Sequence, residues 1–272
     1  MRSYSLFQTT GTAVGMINGL AALNASSNMA EYSGIVLPLV AEVSPSQVKR
    51  SGRVIATGQL GTIAKEAVDN ILSVIKKYTM TNLSDCDIHL QYVGTYDGVE
   101  GDSASITMTT VIVSALENIP IRQDLAMTGS LNVRGKVLPV GGVTAKLEAA
   151  AEAGIKMAII PKDNAKDVMI QNRYYEMMDI YTVQTIRDVF ELAFADCPMK
   201  QQYLDKLQPL MVDGKSTYER LEPPKKMPTL EELEAEHPPV EPVAPVEAPA
   251  QEPQIEVPAP AETPAPGTPA PQ

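Results

Sequence analysis

The chain has 272 residues, 44% of them hydrophobic, so it can bury a sizeable core as one large or two small domains. Its net charge of −11 excludes the basic face of a nucleic-acid binder, and its two cysteines, Cys86 and Cys197, exclude a disulfide framework or a cysteine metal cluster. No apolar run approaches the roughly 18 residues that span a bilayer, and the reduced cysteines fit a cytoplasmic setting.

The charge is unevenly spread. Nine Glu and no Lys or Arg follow Lys226, so the first 226 residues carry only −2. Near the start, Arg2 and "AVGMINGLAALNAS" superficially suggest a secretory signal. Gln8, Thr9, Thr10 and Asn18 interrupt any apolar stretch, and a buried strand through 13–23 is the expectation. "GRVIATGQLG" reads as a strand ending in a Gly turn. In "TIAKEAVDNILSVIKKY" the residues Ile63, Ala67, Ile71, Val74 and Ile75 recur at helical spacing, with Lys76 and Lys77 in the last turn. "DIHLQYV" is a short strand, and a Gly-rich connection leads to a helix over 103–117 whose face holds Ile106, Val113 and Leu116.

"LAMTGSLNVRGKVLPVGG" reads as two strands and a turn, and "VTAKLEAAAEAG" as an Ala-rich helix stopped by Gly154. "MAIIP" is a strand, "AKDVMI" a helical turn or two, "IYTV" a strand, and "QTIRDVFELAFA" a closing helix with Ile186, Val189, Phe190 and Ala193 on one side. The alternation predicts one α/β domain over residues 1–198. A partly helical extension is expected over 199–236, with "TLEELEAE" its best helix. Residues 238–272 hold 12 Pro mixed with Ala and Glu. This composition cannot bury enough surface to fold, so 237–272 reads as a disordered Pro-rich acidic tail.

Which chemistry remains is decided largely by elimination. Only two His are present, and His237 lies in the tail, so a Ser-His-Asp arrangement would have to use His89 on its strand. A Cys86–His89 pair would place the two on opposite faces of one strand. "GSLNVRGKV" fails as a phosphate loop, because five residues separate its glycines and Val137 follows the Lys. "GDSAS" at 101–105 admits two readings: Asp102 and Ser103 as ordinary helix-start residues, or Ser103 as a nucleophile. Lys146, in the first turn of the Ala-rich helix, is a possible partner. Burial and the positive end of a helix both lower a lysine pKa, and a neutral lysine can take a serine proton. Most lysines in such helices point to water, so the pattern permits this chemistry without requiring it.

"VEGDSASITMTTVIVSALENIPI", "DLAMTGSLNVRGKVLPVGGVTAKLEAAAEAGIKMAIIP" and "GQLGTIAKEAVDNILSVIKKY" together resemble the proteolytic domain of Lon proteases, most closely the archaeal, membrane-anchored type. The resemblance covers roughly residues 13–196. It implies a ribosomal protein S5 domain 2-like α/β fold and a serine endopeptidase acting on unfolded or misfolded polypeptide, with Ser103 as nucleophile and Lys146 as general base. Thr128 matches a threonine that helps hold the lysine. Glu100, in "VEGDSAS", either pairs with Lys146 in a resting state or is a solvated loop carboxylate. The family also implies a homo-hexameric ring and an AAA+ ATPase module. ATP and Mg²⁺ would belong to that upstream module, as would any membrane anchor, and no cofactor is expected on this chain. The chain is thus expected to be a fragment of a longer protein or a peptidase without its motor. A catalytically silent, peptide-binding ring of the same fold is the rival reading.

Overall fold

The computed structural model describes residues 7–24, 32–57, 61–79, 83–94 and 101–223. Glu100, the "TLEELEAE" segment and the Pro-rich tail lie outside the described residues. In chain order the elements before the site are β1 (Thr12–Ala13), β2 (Met16–Asn24), β3 (Tyr32–Pro45), β4 (Val54–Thr57), α1 (Thr62–Thr79), β5 (Cys86–Tyr92) and α2 (Ser105–Glu117). Then come β6 (Ile121–Arg122), β7 (Leu125–Met127), β8 (Ser130–Leu131), β9 (Val137–Leu138), α3 (Val143–Glu152) and β10 (Met157–Pro161). A 3₁₀ turn at Lys162–Asp167 leads to α4 (Asn172–Met177), β11 (Asp179–Val183), α5 (Ile186–Ala193), α6 (Pro198–Lys206) and β12 (Glu219–Arg220).

Among the described residues, eight strands form one mixed sheet in the order β12-β11-β10-β7-β2-β3-β5-β4. The expected α/β class holds, with parallel pairing of β2, β7, β10 and β11 and antiparallel pairing of β2 with β3 and of β3 with β5. All five residues of β10 are buried, because helices cover both of its faces. Met157 and Ile159 enter one core with residues of α1, α2, α5 and α6, while Ala158 and Ile160 enter a second with residues of α3 and α4. Along β5 the pattern alternates instead. Ile88, Leu90 and Tyr92 are buried, whereas His89 and Gln91 are exposed.

Several expectations need correction. The longest strand, β3, has no counterpart among the expected elements, because Pro38 sits inside its apolar run and proline argues against a central strand. Here it pairs with Asn18, and its carbonyl accepts Val93 N–H at 2.9 Å, a bond that needs no amide from the proline. In α1, Ile63 is 50% exposed and Ala64 takes its place in the core. The helix expected from 103 starts at Ser105, because Asp102 O takes up the turn before it. "AKDVMI" contributes only to the 3₁₀ turn at 162–167, and the helical turn that follows is α4. The closing helix spans Ile186–Ala193, opened by a capping box in which Thr185 and Asp188 satisfy each other's backbone N–H groups.

The described residues after Pro198 pack onto the body. Tyr203, Leu204 and Leu207 are buried in the first core, where Tyr203 meets Phe190 and Phe194 edge-on at centroid distances of 5.6 and 6.5 Å. Such aromatic pairs contribute about 0.5–1.5 kcal/mol each beyond their burial. The Asp188 carboxylate then accepts from Thr217 N–H (2.9 Å) and its hydroxyl (2.5 Å), which brings β12 onto the edge of β11.

Candidate active site

The site is assembled past the C-terminal end of β7, where the chain turns at Thr128 and Gly129. Parallel sheets open their crevices at this end of their strands. Thr128 N–H donates to Ile159 O of β10 at 3.1 Å, so the turn is tied to a strand buried along its whole length. The same turn clips onto the start of α2: Gly129 N–H donates to Ser103 O (2.8 Å) and Ile106 N–H donates to Gly129 O (3.1 Å). Ser103 is therefore fixed two residues ahead of the helix, half-buried, by the neighbouring turn.

Asp102 does not cap α2, whose N-cap is Ala104 with no side-chain bond. Its carbonyl receives Ser105 N–H (3.0 Å) and the Ser105 hydroxyl (2.6 Å), which takes up the turn before the helix and delays its start. Its carboxylate receives the Ser130 hydroxyl at 2.5 Å.

Lys146 comes from the opposite side of the sheet. Gly142, at φ +68°, is the N-cap of α3, and Lys146 N–H makes the first-turn bond to Gly142 O at 3.1 Å. The helix lies against β3 at Gly34, where an added Cβ would overlap Ala145 O and come within 2.9 Å of Ala149 Cβ. Only glycine permits that approach, and the peptide it touches is the one that leads into Lys146. The Lys146 side chain is 2% exposed, and its Nζ donates to Thr128 Oγ1 at 3.1 Å. The Thr128 hydroxyl in turn donates to Ser103 O at 3.1 Å.

A chain of hydrogen bonds thus runs from the lysine nitrogen through the threonine hydroxyl to the serine backbone. No direct bond joins Lys146 Nζ to Ser103 Oγ among the described residues. Unliganded sites often keep such pairs loose until substrate closes them. Burial lowers the Lys146 pKa from 10.5 to about 8, and the nearby Asp102 charge works against that shift. A substantial neutral fraction is therefore available at mildly alkaline pH.

Of the four residues singled out in the sequence, Ser103, Thr128 and Lys146 come together, and Glu100 lies outside the described residues. His89 stands on the exposed face of β5, beside Arg53 and Asp87 in a cleft that contains neither Ser103 nor Lys146. Sequence reasoning missed the Asp102 carboxylate, Ser130 and Gly34. A lone glycine inside the strand "YSGIVL" was the available signal for Gly34, since it marks a close backbone approach.

Residues 6–196 match the Lon protease (S16) C-terminal proteolytic domain. The archaeal Lon protease of Thermoplasma volcanium is 51% identical over 212 residues, 78% of this chain and 32% of that protein. That of Methanothermobacter thermautotrophicus is 54% identical over 192 residues, 71% of this chain and 29% of its own length. Lon protease 1 of Hydrogenovibrio crunogenus is 36% identical over 192 residues, covering 68% of this chain and 22% of that protein. The chain spans about a third or less of the length of these curated relatives. With the family's domain matched across most of the described fold, this chain belongs to the Lon protease (S16) C-terminal proteolytic domain family.

Proposed function

We propose that the chain is a serine endopeptidase in which Ser103 is the nucleophile, Lys146 the general base and Thr128 the residue that orients the lysine. One observation carries this reading: a lysine buried to 2% exposure, with its pKa lowered to about 8, bonded to a threonine that also holds the serine backbone. A buried lysine that makes no ion pair among the described residues is costly to a fold, and a proton-transfer role accounts for its presence.

In the proposed reaction, neutral Lys146 Nζ takes the Ser103 hydroxyl proton as Oγ bonds to the peptide carbonyl carbon. The C=O electron pair moves onto oxygen. Ser105 and Ile106 N–H groups are engaged by Asp102 O and Gly129 O, so the Ser103 and Ala104 amides are the proposed donors to this oxyanion. The Lys146 ammonium then protonates the leaving amine as the C–N bond breaks, giving an acyl-enzyme. Water, losing a proton to the regenerated amine, attacks the ester, and Ser103 recovers its proton from Lys146. Thr128 Oγ1 accepts one Nζ–H and so turns the amine lone pair away from itself.

Both reacting groups are side chains of this chain, and the chemistry is proposed to need no cofactor. The substrates are proposed to be unfolded polypeptides delivered in the cytoplasm by an AAA+ module, which would hold ATP and Mg²⁺ and any membrane anchor. A homo-hexameric ring would enclose the sites. Replacing Ser103 or Lys146 by Ala should each lower peptidase activity on an unstructured fluorogenic peptide by a factor on the order of 10⁴, with the double variant no worse. Activity retained in Lys146→Ala with Ser103→Ala dead would remove the lysine from the mechanism.

A further inference from the structure

Lys146 leaves the sheet through a weak-looking path. Between β9 and α3 the chain passes Pro139, Val140, Gly141 and Gly142. Two successive glycines give this loop many accessible conformations, and Gly142 uses one at φ +68° that other residues avoid. Something outside the loop has to fix it, since a shift there moves the first turn of α3 and the lysine on it.

Asn164, in the 3₁₀ turn that follows β10, is 2% exposed and is spent on that loop. Its Oδ1 accepts Val140 N–H at 2.9 Å and its Nδ2 donates to Val140 O at 3.0 Å. The side chain thereby supplies both backbone bonds that a neighbouring strand would give. The second Nδ2 hydrogen goes to Asp167 Oδ2 at 2.8 Å, which holds the amide plane in place. On the far side of the glycines, the Thr144 hydroxyl donates to Asp167 O (3.0 Å) and accepts Met169 N–H (3.1 Å). The turn after β10 grips the loop on both sides of Gly141–Gly142.

The strand behind this grip is also the one that holds Thr128, through Ile159 O. Both ends of the Lys146 Nζ–Thr128 Oγ1 bond are referenced to β10, one directly and one through Asn164. We propose that Asn164 is a positioning residue for Lys146: its backbone clamp on Val140 sets where the lysine amine sits against Thr128 and Ser103. The proposal rests on the Ser103–Lys146 reading above. A residue that merely filled the core would need no amide, and burying one is unfavourable unless its hydrogen bonds are made.

The test is kcat and KM on an unstructured fluorogenic peptide from pH 6 to 10, for the parent chain, Asn164→Ala, Asn164→Asp and Lys146→Ala. Misplacement of a catalytic group by about an ångström can lower a rate on the order of 100-fold. Asn164→Ala should lose about that much in kcat with little change in KM. Its acid limb should move up from about 8 towards 10.5, because a displaced lysine regains water. Asn164→Asp keeps the acceptor for Val140 N–H but loses both donations and sets a buried carboxylate against Asp167, so the same changes should appear in at least equal measure.

Folded Asn164 variants with the parent's kcat and pH profile would overturn the positioning role while Lys146→Ala, if dead, leaves the dyad standing. Loss of a cooperative melt in both Asn164 variants would also overturn it, by assigning Asn164 to the stability of the whole fold. An active Lys146→Ala would instead remove the dyad reading on which the proposal rests.

Discussion

Around β10 and the end of β7, helices cover both faces of the sheet, and Lys146 is buried in the layer between them. Along β5 the sheet is covered on one face only, and His89 projects from the other into solvent. Both regions hold a potential base, and by residue type histidine is the commoner choice. The difference is one of environment. Burial can bring a lysine from 10.5 to about 8, and only the doubly covered region provides it. The site lies where the sheet has helices on both sides, and the lysine and serine approach it from opposite faces.

The doubly covered region loses its function most severely if α3 is lifted from β3. Gly34→Ala would drive a methyl group into Ala145 O, and since that atom is backbone the helix must move. A loss of about 100-fold in kcat/KM is expected, with circular dichroism still reporting a folded chain. Normal activity would mean that the lysine does not depend on this contact.

A smaller loss should follow removal of the bond that orients Lys146. Thr128→Val keeps the shape but deletes both the acceptor for Nζ and the donor to Ser103 O. Hydrogen bonds to charged groups contribute about 1.5–3 kcal/mol, so kcat should fall about tenfold or more. Thr128→Ser should retain most activity, and equal losses in the two variants would point to packing instead.

Stability should respond in the opposite direction. The unfolded chain binds more protons than the folded one wherever the pH lies between the two lysine pKa values. Stability therefore rises as pH increases from about 8 to 10.5, and the full cost of the buried ammonium is present below about 8. Lys146→Met removes that cost. It should be more stable at pH 7 by up to about 3 kcal/mol, with the gain fading by pH 10.5, as read from urea unfolding at both pH values. A variant less stable at both would show that Lys146 is held mainly by favourable contacts.

Most helices and the parallel strands were legible in the sequence because their apolar spacing, Gly stops and last-turn lysines are local signals. Gly154, at φ +83°, ends α3 as its position suggested. The strand β3 was hidden by Pro38, whose tolerance depends on its neighbours in the sheet. Ser103, Thr128 and Lys146 were visible through the resemblance, but the path linking them was not. That path passes through the Ser103 carbonyl, a backbone atom that no residue type advertises. The role of Asp102 was misread for a related reason. Its spacing fits a helix cap, yet Ser130, 28 residues away, takes the carboxylate. Asn164 and Gly34 act on α3 from distant strands and turns, contacts that only the folded chain brings together.

The pH dependence of kcat/KM bears most directly on the buried lysine as base. Measured from pH 5 to 10 on a short fluorogenic peptide, activity should rise with a midpoint near 8, the value burial gives Lys146. Asp102→Asn should move that rise to lower pH, since the aspartate charge favours the ammonium. His89→Ala should leave it unchanged. A rise that vanishes in His89→Ala and ignores Asp102→Asn would contradict the lysine as base and hand the proton to the exposed histidine.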